Sequence, residues 1–188
     1  MKFAIHDETT APEASRSILQ ATEKTLGFIP NLYGVFAESP TALQAYSALG
    51  DALKQSALSP IEQQVVALAV STENECSYCV AAHSVIATMV KMPVATLSEL
   101  RTRMTLSDQK LDALHKFALA VVRERGWVPK AETEAFLAAG YTQRHLLDVL
   151  TIVAMKTLSN YVNHIVETPL DQAFASQRWS PQEKGQAA

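Results

Sequence analysis

The sequence predicts an all-α fold, arranged as a single-domain helical bundle. Apolar residues recur every three or four positions along most of the chain, as in Leu146, Val149, Leu150 and Val153. The expected helix boundaries carry serine, threonine or proline at the start and glycine at the end. No segment of useful length alternates apolar and polar residues, so no β-strand is predicted. The 188 residues fit one domain, and a hydrophobic content of 48% is enough for a buried core.

The first half of the chain divides at clear helix boundaries. A helix from about Pro12 ends at the glycine cap Gly27, and an apolar connector follows, with the alternative of a short helix through Phe36. Ser39-Pro40 opens the next helix. Ser59-Pro60-Ile61-Glu62 then has the sequence of a capping box, in which serine caps the helix and glutamate lies at its third position.

The second half of the chain is also predicted to be helical. Ser107 is the expected cap of one helix, which Gly126 ends, and Thr142 starts the longest helix. We assign the C-terminal helices to residues 107–174 and expect the polar tail over 180–188 to be loosely held. The predicted helices span residues 93–101, 107–126, 129–139 and 142–164.

The segment Glu75–His83 contains both cysteines of the chain. Cys76, Cys79 and His83 lie at positions i, i+3 and i+7, which share one face of a helix. The helix is expected to start at Asn74–Cys76, so both thiols lie near an end that favours an anion. A thiol there, with an imidazole one turn away, should ionise easily, and the other cysteine can then form a disulfide with it.

Other interpretations of these residues remain open. The two cysteines could be inert and buried, or could bind zinc together with His83, although no second C-x-x-C or H-x-x-x-H supplies further ligands. His164 could approach the site from the C-terminal half or be structural. The sequence has no glycine-rich phosphate loop and no nucleotide or flavin motif, so no cofactor is expected.

Composition and charge limit the function classes. A net charge of −3 gives no reason to expect nucleic-acid binding. The N-terminal residues lack the apolar core of a secretory signal, and no apolar run approaches the roughly 18 residues of a membrane span. We therefore expect a cytoplasmic protein that does not enter the membrane. In that compartment a C-x-x-C pair is more often redox-active or metal-binding than a structural disulfide.

The two halves of the chain share a faint pattern. Ser59–His83 and Thr142–His164 both begin with a hydroxyl residue, continue as a helix of small apolar residues, and end on histidine. The pattern raises the alternative of two pseudo-symmetric halves.

The motif residues resemble a known superfamily. Glu75–His83, preceded by the apolar segment Gln64–Val70, is similar to the core of the alkylhydroperoxidase D-like, carboxymuconolactone decarboxylase superfamily. This redox core covers about residues 53–90, and two flanking segments, 27–32 and 160–164, resemble a peroxidase-related branch. The resemblance implies an all-α fold of the alkylhydroperoxidase D-like type and a homo-oligomer (dimer, trimer or hexamer).

The resemblance also implies an antioxidant thiol peroxidase chemistry. By the family's pattern Cys79 attacks the peroxide, Cys76 resolves the oxidised sulfur, and His83 belongs to a proton relay. Gln64 stands where the best-known members have the relay glutamate, and an amide cannot accept a proton at neutral pH. The base is then expected to be either His83 alone or a nearby carboxylate, with Glu62, Glu73 and Glu75 as candidates.

Two functional hypotheses follow from the sequence. The first is a thiol peroxidase or disulfide reductase that reduces a small hydroperoxide through Cys76 and Cys79 and is regenerated by a thiol or dithiol donor. The second is a non-catalytic oligomeric protein in which the same pair acts as a redox sensor or a structural clip. Gln64 also lies in an apolar helical stripe, so its amide needs a polar partner in the folded chain.

Overall fold

The prediction of an all-α fold is confirmed. The computed structural model describes residues 3–181, and this part of the chain forms nine α-helices and one 3₁₀ segment, with no strand. The helices are α1 (Glu13–Leu26), α2 (Asn31–Phe36), α3 (Pro40–Leu53), α4 (Pro60–Glu73), α5 (Ser77–Met89), α6 (Val94–Arg101), α7 (Gln109–Arg123), α8 (Lys130–Ala138) and α9 (Gln143–Val166), and the 3₁₀ segment is Gln172–Gln177.

The local signals at the helix ends act as predicted, with one correction. Ser59 and Glu62 form both hydrogen bonds of the capping box of α4. Gly27 adopts a φ of 81° after α1, a left-handed conformation that glycine reaches without steric cost. The cap of α7 is Asp108 rather than Ser107, because the Asp108 carboxylate accepts two backbone amides of the first turn. The Ser107 hydroxyl instead donates to the carboxylate of Glu99.

Helix α4 is the centre of the bundle and packs against α5, α7 and α9. Its residues from Val65 to Thr72 are all buried, as expected for a helix surrounded by other helices. The largest apolar cluster forms around it and includes Leu68, Leu114, Phe117 and Phe136. This packing fixes α5 and α9 on neighbouring sides of α4.

A second apolar cluster contains both cysteines. It joins α1, α2 and α3 to the start of α5 through residues such as Leu32, Phe36 and Tyr46. The 3₁₀ segment packs against α5, where Phe174 meets the ring of Tyr78 edge-on with centroids 5.9 Å apart. The tail predicted to be loosely held, 180–188, lies outside the described residues from 182 onward.

The two segments with a shared sequence pattern differ in form. Ser59–His83 contains α4, a break at Asn74–Cys76 and the first half of α5, whereas Thr142–His164 is a cap followed by one continuous helix. The break has Glu75 in a left-handed conformation with φ of 57°. Within residues 3–181 no helix combines the length and the apolar character needed to cross a membrane.

Candidate active site

Both cysteines lie at the start of α5, as predicted, but in different backbone conformations. Cys76 is the residue before the helix and is extended, with φ of −83° and ψ of 93°, while Cys79 lies within the first turn. Both are free thiols and each is only 1% exposed. The position of Cys76 is fixed because its backbone amide donates to the Ser71 carbonyl at 2.9 Å.

Polar side chains of α9 contact the two sulfurs. The Asn163 Nδ2 group lies 3.2 Å from Cys79 Sγ and 3.7 Å from Cys76 Sγ. The Ser159 hydroxyl oxygen lies 3.9 Å from Cys79 Sγ. One amide group therefore reaches both sulfurs, so the structure brings the two cysteines together at a single point.

The surroundings separate the acidities of the two thiols. Burial alone would raise the pKa of Cys79, but the Cys76 thiol, the positive charge of Lys156, and hydrogen bonds from Ser159 and Asn160 outweigh it and lower the pKa to about 5. The pKa of Cys76 is raised because its proton is donated to Cys79, and burial adds to this effect. The thiolate is therefore held at Cys79 and the proton at Cys76.

A chain of three side chains lies next to this thiol. Lys156 is 2% exposed and its Nζ donates to Nε2 of His83 at 2.8 Å. Since that nitrogen accepts, the other ring nitrogen, Nδ1, carries the proton and donates to Gln64 Oε1 at 2.8 Å. Removal from water lowers the pKa of His83 well below its ordinary value, and the Lys156 charge lowers it further. The imidazole is therefore neutral, and the cation next to Cys79 is the lysine.

The structure shows which polar partner the Gln64 amide has in the folded chain. This amide has the polar partner that a buried stripe requires, and that partner is His83. The three candidate carboxylates are engaged elsewhere: Glu62 caps α4, Glu73 pairs with an arginine of α7, and Glu75 pairs with an arginine after α6. The amide of Gln64 is therefore the group that contacts Nδ1 of His83, while these three carboxylates are held by other partners.

A cavity of about 260 Å³ borders this chain of residues. Cys79, His83 and Lys156 line it together with apolar and aromatic side chains, which include Leu32, Tyr33, Tyr46, Tyr78, Ile86, Met155 and Phe174. A larger open groove of about 440 Å³ between α1 and α3 contains no cysteine or histidine, and its two charged side chains, Asp51 and Lys54, pair with each other. We therefore place the candidate site at the smaller cavity.

The other histidines lie away from this cavity. His164 is exposed and borders a separate pocket beside Cys76. His115 is buried among the residues of α7, and His145 belongs to the cap of α9. Among the described residues no group of three or more histidine, cysteine or carboxylate side chains is arranged to hold a metal ion.

Sequence reasoning missed the contribution of α9. Lys156, Ser159, Asn160 and Asn163 lie at i, i+3, i+4 and i+7, and all four are buried. They continue the face that carries the core residues Val149 and Ile152. The sequence did contain a signal for these residues. Polar residues that extend a buried apolar stripe must find partners in the interior, which indicates a polar site on that face of the helix.

Comparisons with known proteins give one family match and several similar folds. The model of the carboxymuconolactone decarboxylase family matches residues 40–107. An alkylhydroperoxidase AhpD core, a peroxidase-related protein from Ralstonia eutropha JMP134, is 24% identical with a TM-score of 0.82 over 96% of this chain and 97% of its own. A peroxidase-related protein from Silicibacter sp. TM1040 is 21% identical with a TM-score of 0.80 over 94% of both chains.

A third similar structure has a different activity in its name. The debrominase Bmp8, solved as its C82A variant in complex with 2,3,4-tribromopyrrole, is 17% identical with a TM-score of 0.78 over 94% of this chain and 95% of its own. At these identities the likeness establishes a common fold. A search of curated proteins gave no significant match.

Proposed function

We propose that the chain is a thiol-dependent peroxidase of the alkylhydroperoxidase D-like, carboxymuconolactone decarboxylase superfamily, and that it acts on small organic hydroperoxides. One observation carries this proposal: the Asn163 amide contacts both sulfurs, at 3.2 and 3.7 Å, and the more acidic thiol borders a cavity that also contains a buried lysine. A nucleophilic sulfur, a resolving sulfur and a cation are thus close together.

The proposed reaction uses the two thiols in sequence. The Cys79 thiolate attacks the terminal oxygen of the hydroperoxide, the O–O bond breaks, and an alkoxide leaves while the sulfur becomes a sulfenic acid. The Cys76 thiol then attacks that sulfur, a disulfide forms, and water leaves. A thiol or dithiol donor returns two electrons to the disulfide. In total, one hydroperoxide and one dithiol give one alcohol, one water and one disulfide.

The lysine has two roles in this proposal. Its charge stabilises the Cys79 thiolate before attack, and it stabilises the alkoxide that leaves the hydroperoxide. Lys156 has no salt bridge to a carboxylate among the described residues, so its charge is free to serve the reacting atoms. His83 accepts a hydrogen bond from the ammonium group and holds it in place, and Gln64 in turn holds the His83 ring.

The cavity supports an organic substrate over hydrogen peroxide. A volume of about 260 Å³ with apolar and aromatic walls is much larger than one hydrogen peroxide molecule, and burial of an apolar group there is favourable. We therefore expect kcat/KM to be higher for cumene hydroperoxide than for hydrogen peroxide. The alternative of a non-catalytic redox sensor predicts slow oxidation of the thiols by both compounds.

The test is steady-state peroxide consumption with a dithiol donor. Cys79→Ser should abolish turnover, and Cys76→Ser should leave a sulfenic acid on Cys79 that a dimedone label detects by mass. In the wild-type protein one equivalent of hydroperoxide should remove two hydrogens by mass. Full activity in both single variants would refute the proposal.

A second candidate is the reductive removal of halogen from a small aromatic ring. The aromatic walls of the cavity favour a planar substrate, and the similar structure of Bmp8 holds a brominated pyrrole. The balanced reaction takes two electrons from the thiol pair, replaces carbon–bromine by carbon–hydrogen, and releases bromide as the disulfide forms. Bromide release from a bromopyrrole, compared with peroxide consumption by the same preparation, decides between the two activities.

We also propose a homo-oligomer that forms through α9. Its exposed residues Leu147, Leu150, Ala154 and Tyr161 follow the three- and four-residue spacing of a coiled-coil seam. Such a seam pairs best with a second copy of the same helix. Sedimentation of the wild-type protein should give an oligomer, and Tyr161→Glu should shift it toward the monomer.

A further inference from the structure

A second pocket, of about 330 Å³, borders Cys76 and is distinct from the cavity that borders Cys79. It is formed by residues at the start of α5 and at the end of α9. Of the residues that line the two openings, Tyr78 is the one they share. The two cysteines therefore border different openings, although one asparagine amide contacts both sulfurs.

This pocket contains buried polar atoms that lack partners. Asn163 Oδ1 and Thr168 Oγ1 have no hydrogen-bond partner within the described part of the chain. The two residues are only 5% and 9% exposed, and both line the pocket. An unpaired buried polar group costs roughly 1–3 kcal/mol, so these atoms favour a polar ligand in the pocket. A ligand that donates a hydrogen bond to Asn163 Oδ1 therefore lies next to Nδ2 of the same amide, which contacts Cys76 Sγ.

The charged side chains that line this pocket differ from those that line the cavity bordering Cys79. The pocket lining includes the carboxylates of Glu75 and Glu167 and contains no lysine or arginine. Glu75 is partly neutralised by Arg103 at 3.3 Å, while Glu167 belongs to no ion pair in the described part of the chain. A negative opening favours a neutral or cationic ligand over an anionic one.

We propose that this pocket binds the reducing thiol, which attacks Cys76 rather than Cys79. The inference rests on the proposed function, since it needs a Cys76–Cys79 disulfide. The donor thiolate forms a bond to Cys76 Sγ, the bond between the two cysteines breaks, and Cys79 leaves as a thiolate. The second thiol of the donor then attacks the donor sulfur, a donor disulfide leaves, and Cys76 takes up a proton. Two electrons pass from the donor to the protein.

The chemistry of thiol exchange agrees with this direction of attack. A thiol of lower pKa is the better leaving group in disulfide exchange. Cys79 is held as a thiolate by the Asn163 amide and the Lys156 charge, whereas the proton is held at Cys76. Attack on Cys76 therefore releases the more stable thiolate, and the substrate cavity stays free for the next hydroperoxide.

The test maps the mixed disulfide. The disulfide form is prepared with diamide, treated with the monothiol 2-mercaptoethanol and quenched with N-ethylmaleimide, and fragment masses then locate each group. We expect mercaptoethanol on Cys76 and maleimide on Cys79, and the reverse pattern overturns the inference. Because diamide makes the disulfide, the result does not depend on peroxidase activity. Failure of peroxide to oxidise the thiols would instead count against the proposed function alone.

A variant tests the pocket itself. Ser77 is exposed and lines the pocket, so Ser77→Trp should fill it and slow reduction of the disulfide by roughly tenfold or more. Single-turnover oxidation by hydroperoxide should stay the same. Ala131→Trp, at an exposed position in the first turn of α8, is the matched control and should change neither rate. Equal reduction rates in Ser77→Trp and the control would overturn the inference.

The charge of the donor gives a third readout. Cysteamine carries an ammonium group and 3-mercaptopropionate carries a carboxylate. We expect cysteamine to reduce the disulfide faster than 3-mercaptopropionate when both rates are expressed per thiolate. Glu167→Gln should narrow this ratio, because it removes the carboxylate that lacks a paired cation. A ratio that favours the anionic thiol would contradict the assignment of this pocket to the donor.

Discussion

The replacement Lys156→Met tests what holds the Cys79 thiolate. Methionine is similar in length but uncharged, so it removes the cation while filling most of the same space. Lys156 is 2% exposed, so solvent screens its charge little. A close opposite charge lowers a pKa by roughly 1–3 units, and the low exposure favours the middle or upper part of that range.

The expected change follows from the thiol's own pKa. Cys79 has a pKa of about 5 in the presence of Lys156. Loss of the cation should raise this pKa to about 7. At about pH 6 the thiolate fraction should then fall from roughly nine-tenths to roughly one-tenth. At about pH 9 both forms should be almost fully ionised, so the difference should disappear.

The assay is ultraviolet thiolate absorbance against pH, in a Cys76→Ser background that leaves a single titrating thiol. Serine retains a hydroxyl donor beside Cys79. Lys130→Met is the matched control, because this lysine side chain is 89% exposed. Adding His83→Gln excludes a protonated imidazole as a replacement cation. A Cys79 pKa that is unchanged in Lys156→Met would refute the argument that the lysine stabilises the thiolate.

The remaining predictions concern the relay and the fold. Gln64→Glu should raise the peroxidase rate near neutral pH by roughly tenfold or more, because a carboxylate can accept a proton, and an unchanged rate would place the base elsewhere. The pKa of His83 is lowered on folding, so the unfolded chain binds a proton at this residue more readily than the folded chain does. The free energy of unfolding by urea should therefore fall as pH drops below about 6.5, and this fall should be smaller in His83→Gln. Gly34→Ala should lower that free energy by roughly 1–3 kcal/mol, because the new Cβ would meet the His6 carbonyl at 2.6 Å. The control Gly50→Ala lies mid-helix with its nearest neighbour at 3.7 Å and should instead stabilise by roughly 0.5–1 kcal/mol; denaturant midpoints for both variants check the pair.

Most of the local structure could be predicted from the sequence. The capping box at Ser59 and the glycine cap at Gly27 depend on neighbouring residues alone, and both occur where predicted. The cap of α7 was wrong by one residue because both Ser107 and Asp108 can cap, and a contact with α6 engages the serine. Such a contact is not visible in local sequence.

The candidate site was predicted in part. The spacing of Cys76, Cys79 and His83 predicted that they share one face of a helix that starts near Cys76, and the polar side chain of Gln64 called for a partner. The spacing did not show that the histidine would be neutral, nor that the nearby cation would be a lysine. That cation comes from a helix more than seventy positions further along the chain, as its separation of 73 residues from His83 shows.

The sequence by itself determined the features that depend on near neighbours, namely where helices begin and end and which thiols share a turn. What only the tertiary structure decided is which face of α9 meets α5, and hence that Lys156 and Asn163 lie against the sulfurs. Packing around α4 orients that face by burying Val149 and Ile152, and the polar residues on the same face are carried inward with them. A lysine ordinarily favours solvent, so its burial follows from the fold and its partners, and local preference predicts the opposite.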